Sequence, residues 1–302
     1  MPTKKTRIHQ MTAAQWEQEF PDENACCEYL VAHRWPAGIV CPRCGVVGPK
    51  PVKGRPFKWQ CYACNPNGYQ FSHIAYTIFE NTNKPLRDWF RVLHMMLTSK
   101  KGVSALQVQR VLGFGSYETA HYMCMRIRAG LADKEFKKLM GIVEVDETFV
   151  GGKARNRHKD KRGDGNGGTG GMGKAIVIGA VRRKGSVVAR VIDSTDAATL
   201  TAFVRSAVSE RVSLLCTDTF AGYNKLDTGY PHGRVDHARG QYVVGAIHTQ
   251  TIEGFWSLIK RGMVGTFHKV SRKYLPLYVA EFQFRYNNRS NADIFGEAMR
   301  GC

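Results

Sequence analysis

The sequence predicts a multidomain chain: an N-terminal cysteine ribbon, a helical segment, and a C-terminal α/β domain whose mixed sheet is flanked by helices. Three observations predict it. Two C-x2-C pairs separated by 16 residues lie near the N-terminus. Two short helical patterns meet at a glycine-bearing turn, and beyond Gly141 the apolar period changes from helical to strand-like. The boundaries follow as 12–83 for the lead-in helix and ribbon, 84–140 for the helical segment, and 141–302 for the α/β domain.

Residues 12–35 read as a helical lead-in, with Asp22 placed to cap and Ala25, Cys26, Tyr29 and Leu30 on one side. The adjacent Cys26 and Cys27 read as small buried hydrophobes. From Pro36 to Asn83 the chain is rich in Gly, Pro and Cys with short β-like runs. Within it Cys41, Cys44, Cys61 and Cys64 match a four-thiolate zinc site, since each tight C-x-x-C turn presents two sulfurs to one ion. Four protein ligands leave no open position, so one zinc ion here is structural, and so core-poor a module depends on it to fold. His73 is surplus to that set. Of nine cysteines, four sit in these metal-type pairs, which fits a reducing cytoplasm better than a disulfide framework.

Leu86, Trp89, Phe90, Leu93, Met96 and Leu97 recur at helical spacing. Ser104 to Leu112 is a short helix, Gly113-Phe114-Gly115 a turn, and a second helix opens at Ser116 to bury Ala120, Met123, Cys124 and Ile127. This is a helix-turn-helix arrangement, in which Thr119, Tyr122, Arg126 and Arg128 would face outward towards DNA. An ordinary helical hairpin with a basic, solvated face is the alternative.

After Gly141 come three strand-like runs (IVEVDETFV, KAIVIGAV, SVVARVI), a helix capped by Asp196, a fourth strand SLLCTD, and the helical segments TIEGFWSLIK and KYLPLYVAEFQFRY. That order matches an RNase H-like domain. Alternation puts Glu144, Asp146 and Thr148 on one face of the first strand, and turns Glu147 to the valine face. Asp218 ends the fourth strand and Glu253 rides the following helix. Three carboxylates converging from these elements suit two Mg2+ (or Mn2+) ions, which activate the attacking oxygen and stabilise the leaving one in phosphoryl transfer. Glu144 shares the Asp146 face as a possible minor ligand, while Asp193 and Asp196 read as structural. Lys260 stands two helical turns after Glu253 on the same face, where it would hold a DNA phosphate or simply be a surface lysine. Trp256 reads as core or as a stacking platform for a base, and His248 has no assigned role.

Residues 151–174 contain a G-x4-G-K run, but Ala175 follows where a nucleotide loop needs Ser or Thr, so no nucleotide cofactor is expected. Seven Lys/Arg against two Asp there suggest an arm that orders on phosphate, or a plain disordered hairpin. The whole chain carries +19, which attracts a polyanion, most simply nucleic acid. A membrane partner is not expected: the apolar run Ala175 to Val181 is far shorter than the roughly 18–20 residues of a spanning helix, and the polar N-terminus lacks a secretory pattern.

WPAGIVCPRCG with WQCYAC, VEVDETFVGG, LLCTDTFAGY and HTQTIEGFWSLIKRG with EFQFRYNNR together resemble the zinc-ribbon DDE transposases of bacterial insertion sequences, from about Phe20 to Arg289. The resemblance implies an RNase H-like core, divalent metal, and cutting and joining of double-stranded DNA at terminal inverted repeats and a target. It assigns the three acids to Asp146, Asp218 and Glu253, with Lys260 as the associated cation. A homo-oligomer bringing two DNA ends together at the nucleoid is expected. Two rivals remain at this level: an RNase H-like nuclease or resolvase without strand transfer, and a DNA-binding regulator with an inert catalytic domain.

Overall fold

The computed structural model of the chain describes residues 12–133, 136–152, 173–226, 229–236 and 247–301. Most of the glycine-rich stretch expected to form a phosphate-responsive arm, 153–172, lies outside the described residues. The chain divides into two compact units, Met1–Ala132 with Ser290–Cys302, and Asp133–Arg289.

In the first unit the lead-in is two helices rather than one, because Phe20 precedes Pro21 and a residue before proline disfavours the helical region. Helix α1 (Ala13–Glu19) opens with a Thr12–Gln15 capping box. Helix α2 (Glu23–Arg34) is capped by Asp22, which accepts from the Ala25 N–H at 2.9 Å. The ribbon follows as β1 (Lys50–Pro51), β2 (Lys58–Cys61) and β3 (Tyr69–Ser72), antiparallel in that order. Its core is small: Trp35, Cys41, Cys61, Phe71 and Ala75, with Trp59 directly opposite Phe71.

Helix α3 (Leu86–Thr98) starts at Pro85, which offers no side-chain cap. Glu23 of α2 supplies it instead, accepting from the backbone N–H groups of Leu86 and Arg87 at 2.6 and 2.9 Å. Helix α4 (Ala105–Leu112) ends at Gly113, whose φ of +67° is the left-handed cap that suits glycine, and Ser116 caps α5 (Tyr117–Gly130). Two of the four α5 residues expected to face outward do not. Arg128 is buried, and Arg126 donates to the Glu80 and Thr77 carbonyls. Helix α5 packs against both α3 and α4, so its inward arc is wider than a hairpin helix needs; Tyr122 stays exposed.

The C-terminal residues also depart from the sequence division. Helix α9 (Ile294–Gly301) belongs to the first unit, where Phe295 joins a ring cluster with Phe20, Tyr29 and Phe90 at centroid distances of 5.2–5.6 Å. A buried aromatic face of this size outweighs proximity along the chain.

The second unit is a five-stranded sheet. Strands β4 (Ile142–Val150), β5 (Ala175–Arg182) and β6 (Val187–Ile192) form an antiparallel meander; β7 (Leu214–Asp218) and β8 (His232–Val235) add in parallel on the other side of β4. The order is β6-β5-β4-β7-β8. Helix α6 (Ala197–Ala207), capped by Asp196, packs Leu200, Phe203 and Val204 onto the face carrying Val143 and Val145. Helices α7 (Gln250–Gly262) and α8 (Leu275–Asn287) pack on β4–β5 and β6 respectively. A short π-helical turn, Met263–Phe267, extends α7. Among the described residues no helix is long and apolar enough to cross a membrane.

Candidate active site and metal centre

The ribbon cysteines come together. Cys41 Sγ lies 3.5 Å from Cys64 Sγ, and Cys44 Sγ lies 3.7 Å from Cys61 Sγ, with all four sulfurs within 4.8 Å of one another. A zinc tetrahedron with Zn–S near 2.3 Å has edges of about 3.8 Å, so the donor set fits the ion. Burial raises the Cys41 thiol, yet hydrogen bonds from the backbone N–H groups of Arg43 and Cys44 and from the Cys64 and Cys44 thiols together outweigh it and bring the group to about 7, closer to the thiolate that zinc requires.

Asp146 and Asp218 lie on neighbouring strands of the second unit's sheet, and Glu253 lies on helix α7. Glu144 pairs with Cys216 in the parallel β4–β7 register, and Asp146 and Asp218 each stand two residues further on. They therefore share a face on neighbouring strands, whose spacing is about 4.8 Å. Burial and then the charge of Asp218 push Asp146 up to about 6, with Glu253 adding to the rise. Glu253 projects from the first turn of α7, where Thr249 Oγ1 donates to it at 2.9 Å. An open cleft of about 580 Å3 is lined by Asp146, Glu253, Trp256 and Lys260 among others. The three carboxylates do not close to the 4.8 Å spacing of the cysteines. Two ions about 3.5–4 Å apart are served by ligands spread more widely than those of one zinc.

Four neighbours, Glu144, His248, Glu147 and Trp256, take places that residue types alone do not give. Glu144 is completely buried and both its oxygens are engaged: Arg183 Nε (2.7 Å) and Thr251 Oγ1 (2.9 Å) donate to Oε1, and the N–H groups of Thr251 (2.7 Å) and Ile252 (3.1 Å) to Oε2. It is thus an anchor for the N-terminus of α7, whose own N-cap Thr249 makes no side-chain cap bond, rather than a spare metal ligand. His248 packs beside it, with Nδ1 at 3.1 Å from Glu144 Oε1.

Glu147 receives a hydrogen bond from the Tyr223 hydroxyl, and it also lines the cleft that Asp146 and Glu253 line. Parity missed that it stays within electrostatic reach of the acids. Burial, opposed by the Tyr223 bond and reinforced by Asp146 and Asp218, pushes it up to about 7. Trp256 is buried and donates its indole N–H to Asp146 Oδ2 at 3.0 Å. A signal for this was present in the sequence only as a tryptophan one turn beyond an acid.

Comparison with known proteins gives three matches. Residues 138–287 match the model of an ISXO2-like transposase domain, and residues 21–67 that of a transposase zinc-ribbon domain. An uncharacterized protein in transposable element ISH50 of Halobacterium salinarum is 26% identical over 275 residues, covering 88% of this chain and 91% of the relative.

Proposed function

Because the chain belongs to the zinc-ribbon DDE transposases of insertion elements, we propose that it binds the terminal inverted repeats of its own element, cuts the DNA strands there and joins them to a target. The observation that carries this reading is that Asp146 and Asp218 stand two residues beyond the paired Glu144 and Cys216 on adjacent parallel strands, close enough for the charge of Asp218 to act on Asp146, while Glu253 lines the same cleft as Asp146.

The three acids would hold divalent ions, Mg2+ or Mn2+, at a cleft open enough for a phosphodiester. When bound, such ions polarise the scissile phosphate and make water or a 3′-hydroxyl a competent nucleophile near neutral pH. Asp146 and Asp218, held near each other by the sheet in spite of their like charge, would set where the ions and hence the phosphate are held. Lys260, exposed on the cleft lining, contacts a neighbouring phosphate. No nucleotide is consumed, since each step exchanges one phosphodiester bond for another or for water. The strand order β6-β5-β4-β7-β8 supports an RNase H-like core, and the α4-turn-α5 pair together with the ribbon supports a DNA-reading role for the first unit. The reaction takes place at the nucleoid in a homo-oligomer that pairs two ends.

The test is incubation of the purified protein with labelled DNA from its gene's flanks, a target plasmid and Mg2+, beside Asp218→Asn at the same salt. Joined products made by the wild type and absent with the variant are expected. Cleavage without joining would favour a nuclease or resolvase, and binding without either by both proteins a regulator.

A further inference from the structure

Across the β4–β5 ladder the partner of Asp146 is Gly179. Directly cross-strand residues share a face, so glycine leaves a hollow beside the carboxylate. Trp256 fills it: a Cβ on Gly179 would meet Trp256 Cη2 at 2.7 Å and Ile252 Cδ1 at 3.1 Å. A buried indole N–H needs an acceptor, and the acceptor it reaches is Asp146 Oδ2 at 3.0 Å. Trp256 stands three residues after Glu253 on the same helix.

A second tie lies earlier on that helix, where Glu144 receives the N–H groups of Thr251 and Ile252. Glu144 and Asp146 are two strand residues apart, an advance of roughly 6.6–6.8 Å. From Ile252 to Trp256 the helix advances about 6 Å. The helix is therefore fastened to β4 at two points of nearly equal pitch, with Glu253 between them.

We infer that Trp256 is a positioning residue for the DNA-cutting reaction: its indole N–H, seated in the Gly179 hollow, fixes the Asp146 carboxylate in its metal-binding pose and ties it to the helix carrying Glu253. The inference rests on the reading of Asp146 as a metal ligand. Packing alone would use the ring and not the N–H, so the two roles separate when the donor is removed and the ring kept.

The experiment replaces Trp256 site-specifically in the full chain with 3-benzothienylalanine, in which sulfur stands in for the N–H, and in parallel makes Trp256→Phe and Asp146→Asn. Mn2+ binding is read by electron paramagnetic resonance of the free ion, and cleavage of flank DNA is followed against Mn2+ concentration. The isostere is expected to keep the thermal midpoint of the wild type while its Mn2+ half-saturation rises about tenfold, the lower end for losing a hydrogen bond to a charged group. Trp256→Phe should show the same metal shift, with added destabilisation from the smaller ring. Wild-type Mn2+ binding and cleavage in the isostere, alongside loss of both in Asp146→Asn, would overturn the positioning role and leave the functional reading standing. Equal Mn2+ binding by wild type and Asp146→Asn, with no cleavage by either, would overturn that reading and this inference with it.

Discussion

Asp146 and Glu147 are neighbours in sequence, and both are held above the usual carboxylate range, at about 6 and about 7. The native state therefore binds more protons than the unfolded chain between pH 3.8 and about 6 for Asp146. Stability falls as pH rises through that window, by roughly 2–3 kcal/mol once Asp146 is fully ionised. Without divalent metal, Asp146→Asn should accordingly unfold at a higher temperature than wild type at pH 7.5 and show no such advantage at pH 4, as calorimetry at the two pH values would reveal. Saturating Mg2+ should narrow the gap at pH 7.5, because the ion compensates the charge. At the other metal centre, Cys61→Ser should reduce zinc by elemental analysis from one ion per chain towards none, since three ligands and a small aromatic core leave the ribbon under-held. Positions of the acids were legible because a strand's two-residue period and a strand end can be read from residue types. The Trp256 bond and the Glu144 anchor were not legible, because both depend on which helix lies over β4 and in which register.

Helix α7 is the element on which the candidate site depends, and its start is set by a buried carboxylate rather than by its own residues. Glu144→Ala should remove the acceptor of two backbone N–H groups and leave the largely buried Arg183 without its carboxylate partner. Breaking a buried pair in this way costs about 3–5 kcal/mol. Hydrogen exchange should then rise first in the opening turn of α7 and spare α6 on the opposite face. Elements with a local stop or start signal were readable: Asp22 and Asp196 cap the helices expected of them, and Ser104 and Ser116, where two helices were expected to open, are their N-caps. The strand β8, four residues of HGRV, carries no alternation long enough to announce itself and is defined by pairing with β7. Likewise the outward face of α5 could not be drawn correctly without knowing that α3 and α4 both lie against it.

At the scale of the molecule the net charge of +19 makes DNA affinity a function of salt. Binding to flank DNA should weaken by about 10³–10⁵ between 50 and 200 mM salt if the complex neutralises some 6–10 phosphates, a slope measurable by titration. The chain path carries a separate expectation. Phe295, completely buried among Phe20, Tyr29 and Phe90, closes the first unit although it lies beyond the whole α/β unit in sequence. Phe295→Ala should cost about 3–5 kcal/mol, and exchange protection should fall in α2 and α3 while β4 and β5 keep theirs. The return of α9 also orders events during synthesis. The intervening Asp133–Arg289 segment takes roughly 8–30 s to make at about 5–20 residues per second. Throughout that interval the emerging first unit lacks the ring that seals it, so a chain ending before Phe295 cannot complete that unit's aromatic core.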